Sequence, residues 1–196
     1  MSSPELRWAT PVEWVERVEE RPLELLSDHA HNELKAAATA QAWLLKCPDD
    51  PALVLELAKL AAEEVEHFER VVRLLYARGG RLQPIDNNAY AEALLAASAR
   101  SRKKTFVDRL LVAALIEARS CERFELLAEH MRDRELACLY GGLLESERGH
   151  AALFVDLVRR SLPEGEAVER IDALFALEAE VMEGLPFAYR MHSGMA

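Results

Sequence analysis

Cysteine is scarce in this 196-residue sequence: Cys47, Cys121 and Cys138 are an odd number, at spacings that match no zinc motif. Neither a disulfide framework nor a cysteine-based metal site is suggested, and the thiols read as reduced. Long apolar runs are missing as well. No stretch approaches the roughly 20 uninterrupted apolar residues of a membrane span, and Met1-Ser2-Ser3-Pro4-Glu5 lacks a basic segment followed by an apolar one. The expectation is a soluble, cytoplasmic protein with no membrane partner. Positive charge is also short, with 24 Lys and Arg against 34 Asp and Glu and a formal net charge of −10. A protein that coats DNA or RNA through a generally positive surface is therefore excluded, which leaves room only for a small local patch.

Glycine numbers only eight, while apolar residues make up 51% and charged residues 30%, with Ala, Leu, Glu and Arg prominent. That is the composition of packed amphipathic helices, and the length suits one domain, residues 1–196. Thr10-Pro11-Val12-Glu13 carries a capping-box pair and opens a short helix that stops near Pro22. Long helices are expected over about 23–46, 51–78, 104–131 and 133–160, the second capped by Asp50 and ended by Gly79-Gly80. Between them, 79–103 holds the potential caps Asp86, Asn87 and Asn88 and a short helix from Ala89 to Ala99. Gly141-Gly142 predicts a bend or close contact within the fourth helix. An accessory helix follows over about 164–183, and the Gly184–Ala196 tail has no periodicity. Two helix pairs joined by about 25 connecting residues predict an all-α, ferritin-like four-helix bundle with one long crossover and extra short helices.

Charged residues interrupt each apolar seam at one level. The first seam runs Leu26, Ala30, Glu33, Ala37, Ala40, Leu44, and the second Leu53, Leu57, Leu60, Glu64, His67, Val71, Leu74. The third is Val107, Leu110, Ala114, Glu117, Cys121, Phe124, Ala128, and the fourth Leu136, Tyr140, Leu143, Glu147, His150, Phe154, Leu157. A lone Glu on one helix is thus followed by Glu-x-x-His on the next, twice, in nearly the same register. An unpaired carboxylate in an apolar core costs several kcal/mol, so four at one level need neutralising. Two divalent cations balance four carboxylates, with two neutral imidazoles completing the coordination. Glu33, Glu64, His67, Glu117, Glu147 and His150 are the ligand set of ferritin-like di-iron and di-manganese carboxylate proteins. Oxygen and nitrogen donors without cysteine favour two iron ions as the first choice. A single Glu-x-x-His on an exposed helix would mean nothing; the doubled motif on seam positions carries the reading.

The segments Ser27-Asp28-His29-Ala30-His31-Asn32-Glu33-Leu34-Lys35-Ala36-Ala37, Glu63-Glu64-Val65-Glu66-His67-Phe68-Glu69 and Leu115-Ile116-Glu117-Ala118-Arg119-Ser120-Cys121-Glu122-Arg123-Phe124 stand around the ligand positions. They resemble the MiaE family of tRNA 2-methylthio-isopentenyladenosine hydroxylases. The resemblance implies an O₂-dependent di-iron monooxygenase that hydroxylates the isopentenyl group of a hypermodified adenosine beside the tRNA anticodon. It also implies an electron-donating reductase or ferredoxin as partner, and all six ligand positions carry over.

Other residues admit two readings each. Cys121 lies one turn after Glu117, as a shaper of an oxygen pocket or a buried structural thiol. His29, one turn before Glu33, is either a second layer behind the ligands or a partly exposed histidine. Glu63 is placed to hydrogen-bond a ligand imidazole or to face solvent. Arg100, Arg102, Lys103, Lys104 and Arg109, joined by Arg119 and Arg123, form the densest positive cluster, as a tRNA-binding patch or a solvated face. Two other functions compete with hydroxylation. One is a ferritin-like protein that handles iron or destroys peroxide, the other a structural bundle whose Glu and His residues are solvated.

Overall fold

The computed structural model describes residues 5–46, 49–84, 87–98 and 106–196. Among them stand eight helices and no strand: α1 (Glu13–Val18), α2 (Pro22–Leu44), α3 (Pro51–Ala77), α4 (Ala89–Ser98), α5 (Phe106–His130), α6 (Arg134–Gly141), α7 (Leu144–Ser161) and α8 (Glu164–Gly184). The described residues fall into two compact units. The smaller lies within Glu20–Ile85 and Tyr189–Met191, the larger within Met1–Glu19, Asp86–Ala188 and His192–Ala196.

In the smaller unit α2 packs against α3. Pro22 starts α2, where a missing N–H costs nothing. Asp50 starts α3 by accepting the Leu53 amide at 3.0 Å, as expected of a cap. Gly79 ends α3 at φ 76°, a left-handed turn that a side chain would resist. Leu25, Leu26, Ala30, Ala37 and Ala40 on α2 and Leu57, Leu60, Val71 and Leu75 on α3 are buried, so the seams hold along most of their length. They slip by one residue at the far ends, where Trp43 and Leu75 are buried in place of Leu44 and Leu74. On α3 the slip runs forward, the direction in which a helix of 3.6 residues per turn drifts off a seven-residue stripe.

In the larger unit α5 is the hub, with α1, α4, α6, α7 and α8 all packed against it. Leu110, Leu111, Ala114, Leu115, Phe124 and Leu127 are buried along it, the larger of these side chains each contributing about 1.5–3 kcal/mol. Asn88 caps α4 by accepting the Ala91 amide at 3.1 Å, and Asp133 caps α6 by accepting the amides of Glu135 and Leu136.

Two expectations need correction. Thr10 does not cap α1: its amide and hydroxyl both donate to Glu122, at 2.7 and 2.6 Å, and α1 begins without a side-chain cap. The expected single helix over 133–160 is two helices. The Gly142 amide contacts both Cys138 and Leu139 carbonyls, the Leu143 amide bonds Tyr140, and this tightened turn separates α6 from α7. Leu136, Tyr140, Leu143, Glu147, His150, Phe154 and Leu157 are nevertheless all buried, so the seam survives the break. The tail, finally, is ordered without helical periodicity. Phe187 and Gly194 amides donate to Ala196 and Pro186 carbonyls, and Met191, His192 and Ser193 are buried. A Cβ on Gly194 would fall 1.7 Å from the Leu185 carbonyl oxygen, so only glycine permits this close return.

Candidate metal centre

On α2 and α3 the buried residues Glu33, Glu64 and His67 converge, each offering a ligand atom within 4.8 Å of the others. His67 Nδ1 stands 3.4 Å from Glu33 Oε2 and 3.9 Å from Glu64 Oε2. His67 follows Glu64 by one helical turn, and its ring turns back along α3 as helical side chains do. Separations of 3.4–3.9 Å exceed a good hydrogen bond. They suit two donors each about 2 Å from a shared first-row metal ion.

α5 and α7 repeat the arrangement. Glu117, Glu147 and His150 are buried, their ligand atoms again lie within 4.8 Å of one another, and His150 Nδ1 stands 3.8 Å from Glu147 Oε2. Both Glu-x-x-His pairs thus present the same imidazole nitrogen to their carboxylate. Each triad sets two acids against one imidazole where little water reaches, an arrangement that a divalent cation would neutralise. The donor set therefore fits metal ions in both units.

The surrounding residues sort the earlier alternatives. His29 is 1% exposed, and its Nε2 lies 2.5 Å from Glu33 Oε1, so the partly exposed reading gives way to direct support of Glu33. Burial alone would raise the Glu33 carboxyl; the His29 charge and hydrogen bond, helped by the polar contacts of His67 and Glu64, outweigh it and hold Glu33 below the usual carboxylate range. Ser146, one turn before His150, has its hydroxyl 3.3 Å from His150 Nε2. Glu63 is half-buried and pairs with Lys59 at 3.3 Å. Cys121 is buried, and burial together with the Glu147 and Glu117 charges pushes its thiol up, so it is neutral at physiological pH. Tyr140 packs against Phe124, with ring centroids 5.3 Å apart, as core.

Arg119 and Arg123 do not belong to any surface patch, because both are fully buried. Arg119 donates to Glu178 Oε1 from Nε at 3.0 Å and Nη2 at 2.7 Å, and pairs with Glu122. The Tyr90 hydroxyl donates to the same Glu178 oxygen at 2.9 Å. Arg123 lies 4.0 Å over the Trp14 ring and donates to the Ser193 carbonyl, while His192 stacks on Tyr90 and meets the Ser120 hydroxyl at 3.0 Å. Two positive and two negative side chains close this cluster on itself. Sequence reading missed Glu178 and His192 as buried groups because they sit on the accessory helix and the aperiodic tail, outside the seams. Of the remaining basic residues, Arg109 is exposed on α5; Arg100, Arg102, Lys103 and Lys104 lie outside the described residues.

Fold class and donor chemistry define an all-α, ferritin-like protein with carboxylate–histidine triads. A solved structure, "Protein 43 with aldehyde deformylating oxygenase activity from Synechococcus", matches 97% of this chain and 96% of its own, at TM-score 0.86 and 40% identity. The family model described as tRNA-(MS[2]IO[6]A)-hydroxylase (MiaE) matches residues 3–193. The chain belongs to the MiaE family. Its curated relatives include the tRNA 2-(methylsulfanyl)-N(6)-isopentenyladenosine(37) hydroxylase of Pseudomonas putida, 36% identical over 95% of this chain and 90% of that protein. The protein of the same name from Salmonella typhimurium is 33% identical over 75% of this chain and 55% of its own length.

Proposed function

We propose that this protein is a di-iron monooxygenase that uses O₂ to hydroxylate the isopentenyl group of 2-methylthio-N6-isopentenyladenosine next to the tRNA anticodon. The observation that carries the proposal is the doubled buried triad, in a chain that belongs to a family of tRNA hydroxylases. Glu33, Glu64, His67, Glu117, Glu147 and His150 hold two iron ions, and residues 1–196 act as one di-iron domain. Their four carboxylates offset four positive charges, which is why six polar side chains tolerate an apolar core. The iron supplies the reactivity toward an unactivated C–H bond.

The chain's own residues position and protect. His29 and Ser146 fix the side chains they touch, and buried Leu57, Leu60, Val71, Phe124, Tyr140 and Phe154 keep water from the donors. The neutral Cys121 thiol adds no competing anion. The modified base enters splayed out of the anticodon loop, as single-stranded RNA bases are commonly presented to enzymes. Arg100, Arg102, Lys103, Lys104 and Arg109 contact its phosphates. Charge reversal at Arg102, Lys103 and Lys104 would weaken tRNA binding and flatten its salt dependence. Electrons come from a reductase or ferredoxin, and the reaction takes place in the cytoplasm. No helix among the described residues is long and apolar enough to cross a membrane.

A second reading, oxygen-dependent deformylation of an aldehyde, is favoured by the 40% identity to the Synechococcus chain. Nucleoside analysis of tRNA from cells with and without the protein separates the two. Loss of the hydroxylated isopentenyladenosine in its absence supports the tRNA reading; unchanged tRNA, with deformylation of an aldehyde by purified protein, supports the other. An iron-storing protein would instead load far more than two irons per chain.

A further inference from the structure

We propose that His29 is a positioning residue which ties down one oxygen of Glu33 and so fixes how Glu33 serves its metal. The inference rests on the metal reading above. A carboxylate has two oxygens to offer. Glu33 Oε1 lies 2.5 Å from His29 Nε2, whereas Oε2 faces His67 Nδ1 at 3.4 Å. The oxygen that His29 leaves is the one facing His67, a fellow candidate donor. Glu33 is held as a one-oxygen donor that resists swinging or chelating.

The hold comes from α2 itself. His29 precedes Glu33 by one turn on the same helix and is 1% exposed, so the pair is set by helix geometry and kept from water. At the matching place of the pseudo-repeat, one turn before Glu117, the chain has Ala113, whose methyl group donates no hydrogen bond. The His29 contact is thus particular to the Glu33 half of the repeat, and a metal beside Glu33 sits against a fixed carboxylate.

The test is titration of the metal-free full chain with Co²⁺, read by visible absorption against a competing chelator, together with melting of the metal-free protein. The wild type is expected to bind two ions. His29→Leu should bind one as before and the other about 10–100-fold more weakly. His29→Gln, which keeps an N–H at similar reach, should return to within about threefold of wild type. If His29→Leu does not fold, His29→Asn, too short to reach Glu33, replaces it with the same expected split. Wild-type affinity for both ions in the Leu or Asn variant overturns the role. So does equal weakening of both ions alongside a lower melting temperature, which marks His29 as structural only. A wild-type chain that takes up no Co²⁺ overturns the metal reading, and the role of His29 with it.

Discussion

On α2 His29, one turn earlier, holds the lone carboxylate Glu33; on α7 Ser146, one turn earlier, brings its hydroxyl to the imidazole of His150. The triads share residue types, burial and the inward nitrogen of the histidine, yet their supports differ in kind. Ligand type is repeated because the charge balance demands it in both halves. The His29 contact and the Ser146 contact are of different kinds, because each helix solves locally the problem of holding one side chain still. Their settings differ too. The smaller unit is a helix pair with a short piece of tail, whereas the larger has five helices around α5 and a second buried polar cluster at Arg119 and Arg123.

The comparison breaks most visibly if the halves are unequal as ligand sets. Glu64→Ala and Glu147→Ala should each lower tRNA hydroxylation by about 100-fold or more, since loss of a direct ligand exceeds loss of its support. Nucleoside analysis of cells complemented with each variant measures this, and activity surviving in one alone would end the equivalence. Arg119→Met tests the larger unit. It strands Glu178 in a fully buried place and should cost about 3–5 kcal/mol in urea unfolding, most of which Arg119→Met with Glu178→Met regains. Retention of wild-type stability in the single variant would mean that the cluster does not hold the unit together.

Smaller effects sharpen the contrast. Ser146→Ala should weaken one Co²⁺ by about tenfold, and not the ion that His29→Leu affects. Weakening of the same ion by both would mean that the two supports converge on one site. Asp28, in the smaller unit, accepts the Met191 amide at 2.9 Å, and burial raises its carboxyl above the ordinary 3.8. The folded chain then holds more protons than the unfolded chain between 3.8 and the raised value. Its contribution is thus fully present below that interval and lost as pH rises through it. Urea midpoints should show this decline in the wild type and lose it in Asp28→Asn; an unchanged slope would place its origin elsewhere.

How far the site was legible depended on the distance over which each feature is encoded. The six donors stood out because helical periodicity turns sequence spacing into a shared face, and a carboxylate on an apolar stripe is costly enough to demand a reason. Asp50 and Gly79 marked helix ends for the same local reason. Thr10 looked like a cap and is instead held by Glu122 on α5, a contact that no neighbouring residue announces. Arg119 and Arg123 looked like surface charge because their partners, Glu178 and Ser193, are remote in the chain. His29 stood in between: its spacing to Glu33 was visible, while its burial was not.

The amino-acid pattern by itself determined the all-α class, the run of the long helices, the two-fold recurrence of the acid and histidine positions, and their need for a compensating charge. Those properties follow from repeats of three and four residues, which one helix expresses alone. Tertiary structure decided which oxygen of Glu33 is tied, that the expected fourth helix divides into two at Gly142, and that two arginines and the tail lie inside. Burial and hydrogen bonding between distant segments exist only once the chain has folded, and no periodicity encodes them.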